Sequence, residues 1–112
     1  MTSENPPISL LISVDLPAPE PIPPRLARKL MGFRVVLLGC YEVPDQTTPA
    51  QARDQFGEEA RSALELAAKP LEAEGAVVKR CLVFTRNRIE TIERVAAEEG
   101  CEAILIPLLP NM

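Results

Sequence analysis

The sequence predicts an α/β fold, a doubly wound parallel sheet with helices on both faces. Four short apolar runs, at 8–15, 33–41, 76–84 and 101–109, are separated by three helical patterns. The first is almost unbroken in apolar residues instead of alternating, as strands buried on both faces are. Regular alternation of strand and helix means parallel strands joined by right-handed crossovers, with helices laid on the sheet.

The first strand reads ISLLISVD from Ile8 to Asp15 and breaks into Leu16 and Pro17. It is expected inside the sheet, not at its border. Parallel sheets place ligand sites at the carboxyl ends of their strands, and Asp15 stands there. Residues 1–7, with Pro6 and Pro7, form a loose lead-in, and 8–112 the folded unit. The run from Pro17 to Pro24, PAPEPIPP, cannot be helix interior or central strand, because proline lacks the N–H and fixes φ. It reads as a stiff connector; a polyproline ligand is the alternative, without supporting context. Pro24 opens a short helix to Met31, with Leu26, Leu30 and Met31 inward and Gly32 as the stop.

Phe33 to Tyr41, FRVVLLGCY, is the second strand, rich in β-branched and apolar residues. After a loop from Glu42 to Gln46, Thr48 and Gln51 form a capping box with Pro49 at the first helical position. The helix runs to about Glu74 and stops at Gly75. Its inward stripe is Phe56, Ala60, Ala63, Ala67 and Leu71, with Arg61 and Glu65 paired one turn apart. Pro70 is expected to kink the last turn.

Ala76 to Phe84, AVVKRCLVF, is the third strand, and its Lys79 and Arg80 mark it as an edge. Asn87 with Glu90 gives a second capping box. The helix to Glu99 turns Ile89, Ile92, Val95 and Ala96 inward and spaces Glu90 and Arg94 for a surface pair. Gly100 ends it, and Cys101 to Leu109, CEAILIPLL, is the fourth strand.

Composition narrows the function. The 112 residues carry a net charge of −4 with scattered cations, against nucleic-acid binding, which needs clustered Lys and Arg. There is no histidine, the usual general base and commonest metal ligand. Cys40, Cys81 and Cys101 are far apart and read as reduced, buried thiols of a cytoplasmic protein. No run is long enough for a membrane span, and the N-terminus lacks a signal pattern.

Four pieces together resemble the universal stress protein family. They are the first strand ending in Val14-Asp15, the strand VVLLGCYEVP, the acidic Ala-rich helix before GAVVKRCLVF, and the run IETIERVAAEEGCEAILI. The resemblance covers about 8–109 and implies an adenine nucleotide alpha hydrolase-like sheet of order 3-2-1-4, with the family's fifth strand and last helix missing. The chain is then either naturally short or part of a longer protein.

Many members of that family bind ATP. The resemblance places Asp15 against the adenosine, Ser13 and Val14 in the wall beside the base, and Cys40 where a small residue meets adenine through its backbone. The phosphate half departs from the family pattern. Its Gly-x-x-Gly positions hold Pro107 and Pro110, which have no N–H to offer a phosphate, and the following Gly-Ser has no room before Met112. The glycine often found after the third strand is replaced by Thr85 or Arg86.

Asp15 therefore has two roles open to it, a nucleoside ligand or a loop-ordering carboxylate. Arg86 and Arg88 stand on the same side of the sheet, either holding an anion near a helix start or as solvated loop charges. Tyr41 and Glu42 are candidates for lining the same crevice.

With no nucleophile paired to a base and no metal cluster, an enzyme of the related hydrolase or flavoprotein type is disfavoured. The expectation is a non-enzymatic module acting through self-association or partner binding, with ATP binding lost and no cofactor. The alternative is an adenine-nucleotide binder, of ATP or AMP, that uses Asp15. A bare fourth-strand edge invites a second copy or another domain, so a homodimer is expected on that edge or on the helix face left bare.

Overall fold

The computed structural model describes residues 8–19 and 21–106. Its elements are β1 (Ser9–Leu16), α1 (Pro24–Lys29), β2 (Arg34–Glu42), α2 (Pro49–Ala73), β3 (Val77–Thr85), α3 (Arg88–Glu98) and β4 (Ala103–Leu105). The four strands form one parallel sheet in the order β3-β2-β1-β4. This is the expected doubly wound α/β arrangement, with β1 inside the sheet. Every residue of β1 is buried except Asp15.

Alternation along the strands divides the core between two faces. Leu10, Ile12, Val14, Val35 and Leu37 pack under α1 and α2 with Leu64, Ala68 and Leu71. Leu11, Val36, Leu38 and Cys40 pack under α3 with Ile92, Val95 and Ala96. Leu11, Ile12, Leu37 and Leu38 are wholly buried, each contributing about 1.5–3 kcal/mol of transfer free energy. A third cluster of Leu16, Val43, Ala52, Ala60 and Phe84 closes the carboxyl end beneath α2.

The cap of α2 forms as the sequence predicts. Thr48 Oγ1 accepts from the Gln51 N–H at 3.1 Å, and Gln51 Oε1 accepts from the Thr48 N–H at 2.9 Å. The helix continues through Pro70 to Ala73, and Gly75 turns the chain at φ 95°. Its buried stripe is rotated from the expected one. Ala52, Ala60, Leu64, Ala68 and Leu71 are inward, while Phe56, Ala63 and Ala67 are only half-buried. Ala60 and Leu71 belong to both stripes, and between them Leu64 takes the inner line with more apolar area than the Ala63 and Ala67 methyls offer.

Several other expectations are corrected. α1 ends at Lys29, and Met31 lies beyond its cap on the surface. In α3 the inward positions are Thr91, Ile92, Val95 and Ala96, and Ile89 is exposed. Arg88 shares the inward line with Thr91 and Val95 by helical spacing, which turns Ile89 away. Asn87 Oδ1 accepts from the Glu90 N–H at 3.0 Å, and among the described residues the Glu90 side chain returns no bond, so the capping box is half made. Arg94 lies 3.8 Å from Glu98, not beside Glu90. Glu65 is taken by Arg80 of β3 instead of Arg61.

β3 and β4 are the two edges of the sheet. The ladder of β4 covers three residues, shorter than the expected 101–109. Pro107, Leu108, Leu109 and Pro110, like residues 1–7, lie outside the described residues. No helix among the described residues is long and apolar enough to cross a membrane.

Candidate functional site

The carboxyl ends of β1, β2 and β3 meet the first turn of α3. Asp15 is on the α3 face because it alternates with Leu11 and Ser13, and it pairs in register with Cys40. Its side chain is 62% exposed and forms an ion pair with the Arg88 guanidinium. Arg88 is the first residue of α3. A carboxylate 73 positions earlier in the chain is thus tied to the helix start.

The turn that delivers Arg88 is built around one hydroxyl. Thr85 Oγ1 accepts from the Asn87 N–H at 3.0 Å and from Thr91 Oγ1 at 2.9 Å, and donates to the Asn87 carbonyl at 3.3 Å. One donor and two acceptor sites satisfy all three contacts. Arg86 points the other way. Its Nη2 donates to the Thr47 carbonyl at 2.6 Å and more weakly to Asp45 at 3.4 Å. That ties the β3–α3 turn to the β2–α2 loop.

A shallow cavity of about 280 Å3 remains, lined by Glu42, Arg86, Asn87, Arg88 and Ile89. Glu42 lines it as expected. Tyr41 does not, because its ring turns to the α2 face. There it stacks on Phe56 at 5.6 Å and tilts against Phe84 at 5.1 Å.

The remaining members of the proposed nucleoside wall, Ser13, Val14 and Cys40, are buried. Burial pushes the Cys40 thiol up, and its hydrogen bond with Ser13 offsets this only in part. Burial likewise raises Cys81 and Cys101. Among the described residues no three His, Cys, Asp or Glu side chains gather as a metal site.

The structure therefore joins Asp15 to Arg88, places Arg86 a few residues away on different partners, and keeps Ser13, Val14 and Cys40 inside. The Thr85–Asn87–Thr91 knot was missed in the sequence. Its signal is the placement of Thr, Asn and Thr across a predicted strand–helix junction, where hydroxyls and amides bond local backbone. Comparison with family models, curated proteins and solved structures returned no match to this chain.

Proposed function

We propose that the chain is a non-enzymatic α/β module of the universal stress type that acts by self-association or partner binding, with ATP binding lost. The observation that carries this is the occupation of the strand ends. Asp15 is neutralised by Arg88, and Arg86 is committed to the backbone carbonyls of Asp45 and Thr47. A nucleotide would have to displace the first pair and replace it with bonds of its own.

The β4 edge supports association. Glu102 donates its N–H to the Ser9 carbonyl at 2.8 Å, so by strand alternation Ala103 and Leu105 turn their backbone groups outward. Ile104 and Ile106 remain 40% and 45% exposed beside them. A second copy pairing along this edge would satisfy those groups and cover the isoleucines.

Calorimetry with ATP, AMP and adenosine, together with sedimentation over a concentration series, tests both parts. The expected result is no nucleotide binding tighter than about 10 μM, or about −7 kcal/mol, and a dimer that grows with concentration. Tight ATP binding abolished by Asp15→Ala would replace this function with the nucleotide-binding alternative. A monomer at every concentration would remove self-association.

A further inference from the structure

On the face opposite Asp15, α2 and the edge strand β3 enclose a groove of about 300 Å3. Its floor is apolar, made by Leu64, Leu82 and Phe84, and its charged residues include Arg53, Arg61 and Arg80. Arg53, Gly57, Arg61 and Glu65 follow at four-residue intervals, so they form one line along α2. Gly57 lies buried between the two arginines with no side chain of its own, and a Cβ there would lie 3.7 Å from Arg53 Cγ.

The three arginines differ in what they bond. Arg80 is occupied: both Nη atoms donate to Glu72 at 2.9 Å, and Nε lies 2.8 Å from Glu65. Arg53 and Arg61 have no carboxylate within ion-pair distance among the described residues. Arg53 instead lies over the Phe84 ring at 5.7 Å.

The backbone of β3 completes the site. Val77 donates to the Phe33 carbonyl, and the Thr85 carbonyl accepts from Val43. Those residues therefore face β2, and alternation turns the N–H and C=O groups of Val78, Arg80, Leu82 and Phe84 to the open edge. The side chains of Val78, Leu82 and Phe84 pack on the α2 side. One wall of the groove thus offers main-chain hydrogen bonds and the other offers two cations.

We propose that this groove binds an extended acidic peptide segment of a partner, which adds as a strand to β3. Arg53 and Arg61 are eight residues apart on a helix, about 12 Å. Carboxylates at i and i+4 of a strand are about 13 Å apart and on one face, with residue i+2 between them. The segment therefore carries two acidic residues flanking one apolar residue, which settles over Leu64 and Leu82. Backbone pairing supplies affinity and the arginines supply selection, the mode of strand addition in general. The proposal rests on the chain being a binding module and uses the sheet edge opposite to β4.

The test is fluorescence anisotropy with a labelled, capped decapeptide whose glutamates are four residues apart with a valine midway. Amide chemical shifts of the chain locate it. Saturable binding is expected, with shifts concentrated between Val78 and Phe84 and affinity falling as salt rises. Arg53→Ala with Arg61→Ala is expected to weaken it about tenfold, or about 1.4 kcal/mol. The same peptide with lysines for glutamates is expected not to bind.

Shifts centred on Ala103–Leu105, or an affinity unchanged by the arginine substitutions, would overturn the proposal. A single-stranded oligonucleotide binding the same residues more tightly would also overturn it. The two functional claims fail separately. Tight ATP binding with the peptide shifts intact sinks only the loss of nucleotide binding, and an absent peptide site leaves that loss standing.

Discussion

Gly39 leaves a notch in β2 that the Leu16 side chain fills, and adding one methyl there tests that packing. It stands in β2 on the α2 face, where a Cβ would lie 2.7 Å from Leu16 Cδ1 and 3.1 Å from Leu64 Cδ1. Carbon atoms rest at about 3.5–4.0 Å, so Leu16 would have to retreat by roughly 1 Å and Leu64 by less. Both leucines are buried, and the strand beneath is held by β1 and β3 on either side. Gly39→Ala is therefore expected to cost ~1–3 kcal/mol through overpacking.

Leu16→Ala alone is expected to cost ~2–5 kcal/mol, since it leaves a cavity under α2. In the double substitution the new methyl occupies part of that cavity. The combined cost should then fall short of the sum by at least about 1 kcal/mol, a coupling typical of residues in contact. Urea unfolding followed by circular dichroism measures all three variants. With a slope of about 2 kcal/mol/M, Gly39→Ala alone moves the midpoint down by about 1 M. A neutral Gly39→Ala, or costs that simply add, would show that Leu16 does not fill the notch.

Gly57→Ala has the opposite sign. Its Cβ would meet only Arg53 Cγ at 3.7 Å, an ordinary contact, so α2 should gain ~0.5–1 kcal/mol from helix propensity. Thermal unfolding should rise by about 2–5 °C; a fall would mean that this part of α2 needs the empty position. Glu99 supplies a pH test, because hydrogen bonds from Lys79 and Arg34 hold its carboxyl below the usual range. A depressed folded value means that stability is present above about pH 4.3, the unfolded value. It is lost as pH falls through the lower folded value. Glu99→Gln should therefore be less stable at neutral pH and lose less on acidification to pH 3, by urea midpoints; an unchanged acid profile would count against the cluster.

The layout of strands and helices was legible because its signals are local. The apolar runs of β1 and β2 needed no partner to be seen, and the Thr48–Gln51 cap announced α2 within four residues. Asp15 was legible for the same reason, as the carboxylate that ends an apolar run. Its bond to Arg88 was not, since no periodicity links residues so far apart in the chain. The face of α2 was ambiguous because alanines at 60, 63, 67 and 68 support two adjacent stripes, and only packing against the sheet chooses between them. Likewise β4 reads as a long apolar run, while its described ladder with β1 is three residues.

The misread partner of Glu65 has the largest consequence. Spacing assigns it to Arg61, but a basic residue N-terminal to an acidic one is the weaker order for a helical pair, and even the better order is worth only a few tenths of a kcal/mol. Arg80 brings a planar guanidinium from the neighbouring strand and reaches two carboxylates at once, Glu65 and Glu72. A local rule of small magnitude thus yields to a tertiary contact that a local reading cannot see. The outcome leaves Arg61 with no carboxylate in ion-pair distance among the described residues, about two turns along α2 from Arg53. The same exchange that ties β3 to α2 therefore leaves Arg61 beside Arg53 at the β3 edge, and those two cations are what the proposed acidic strand would meet.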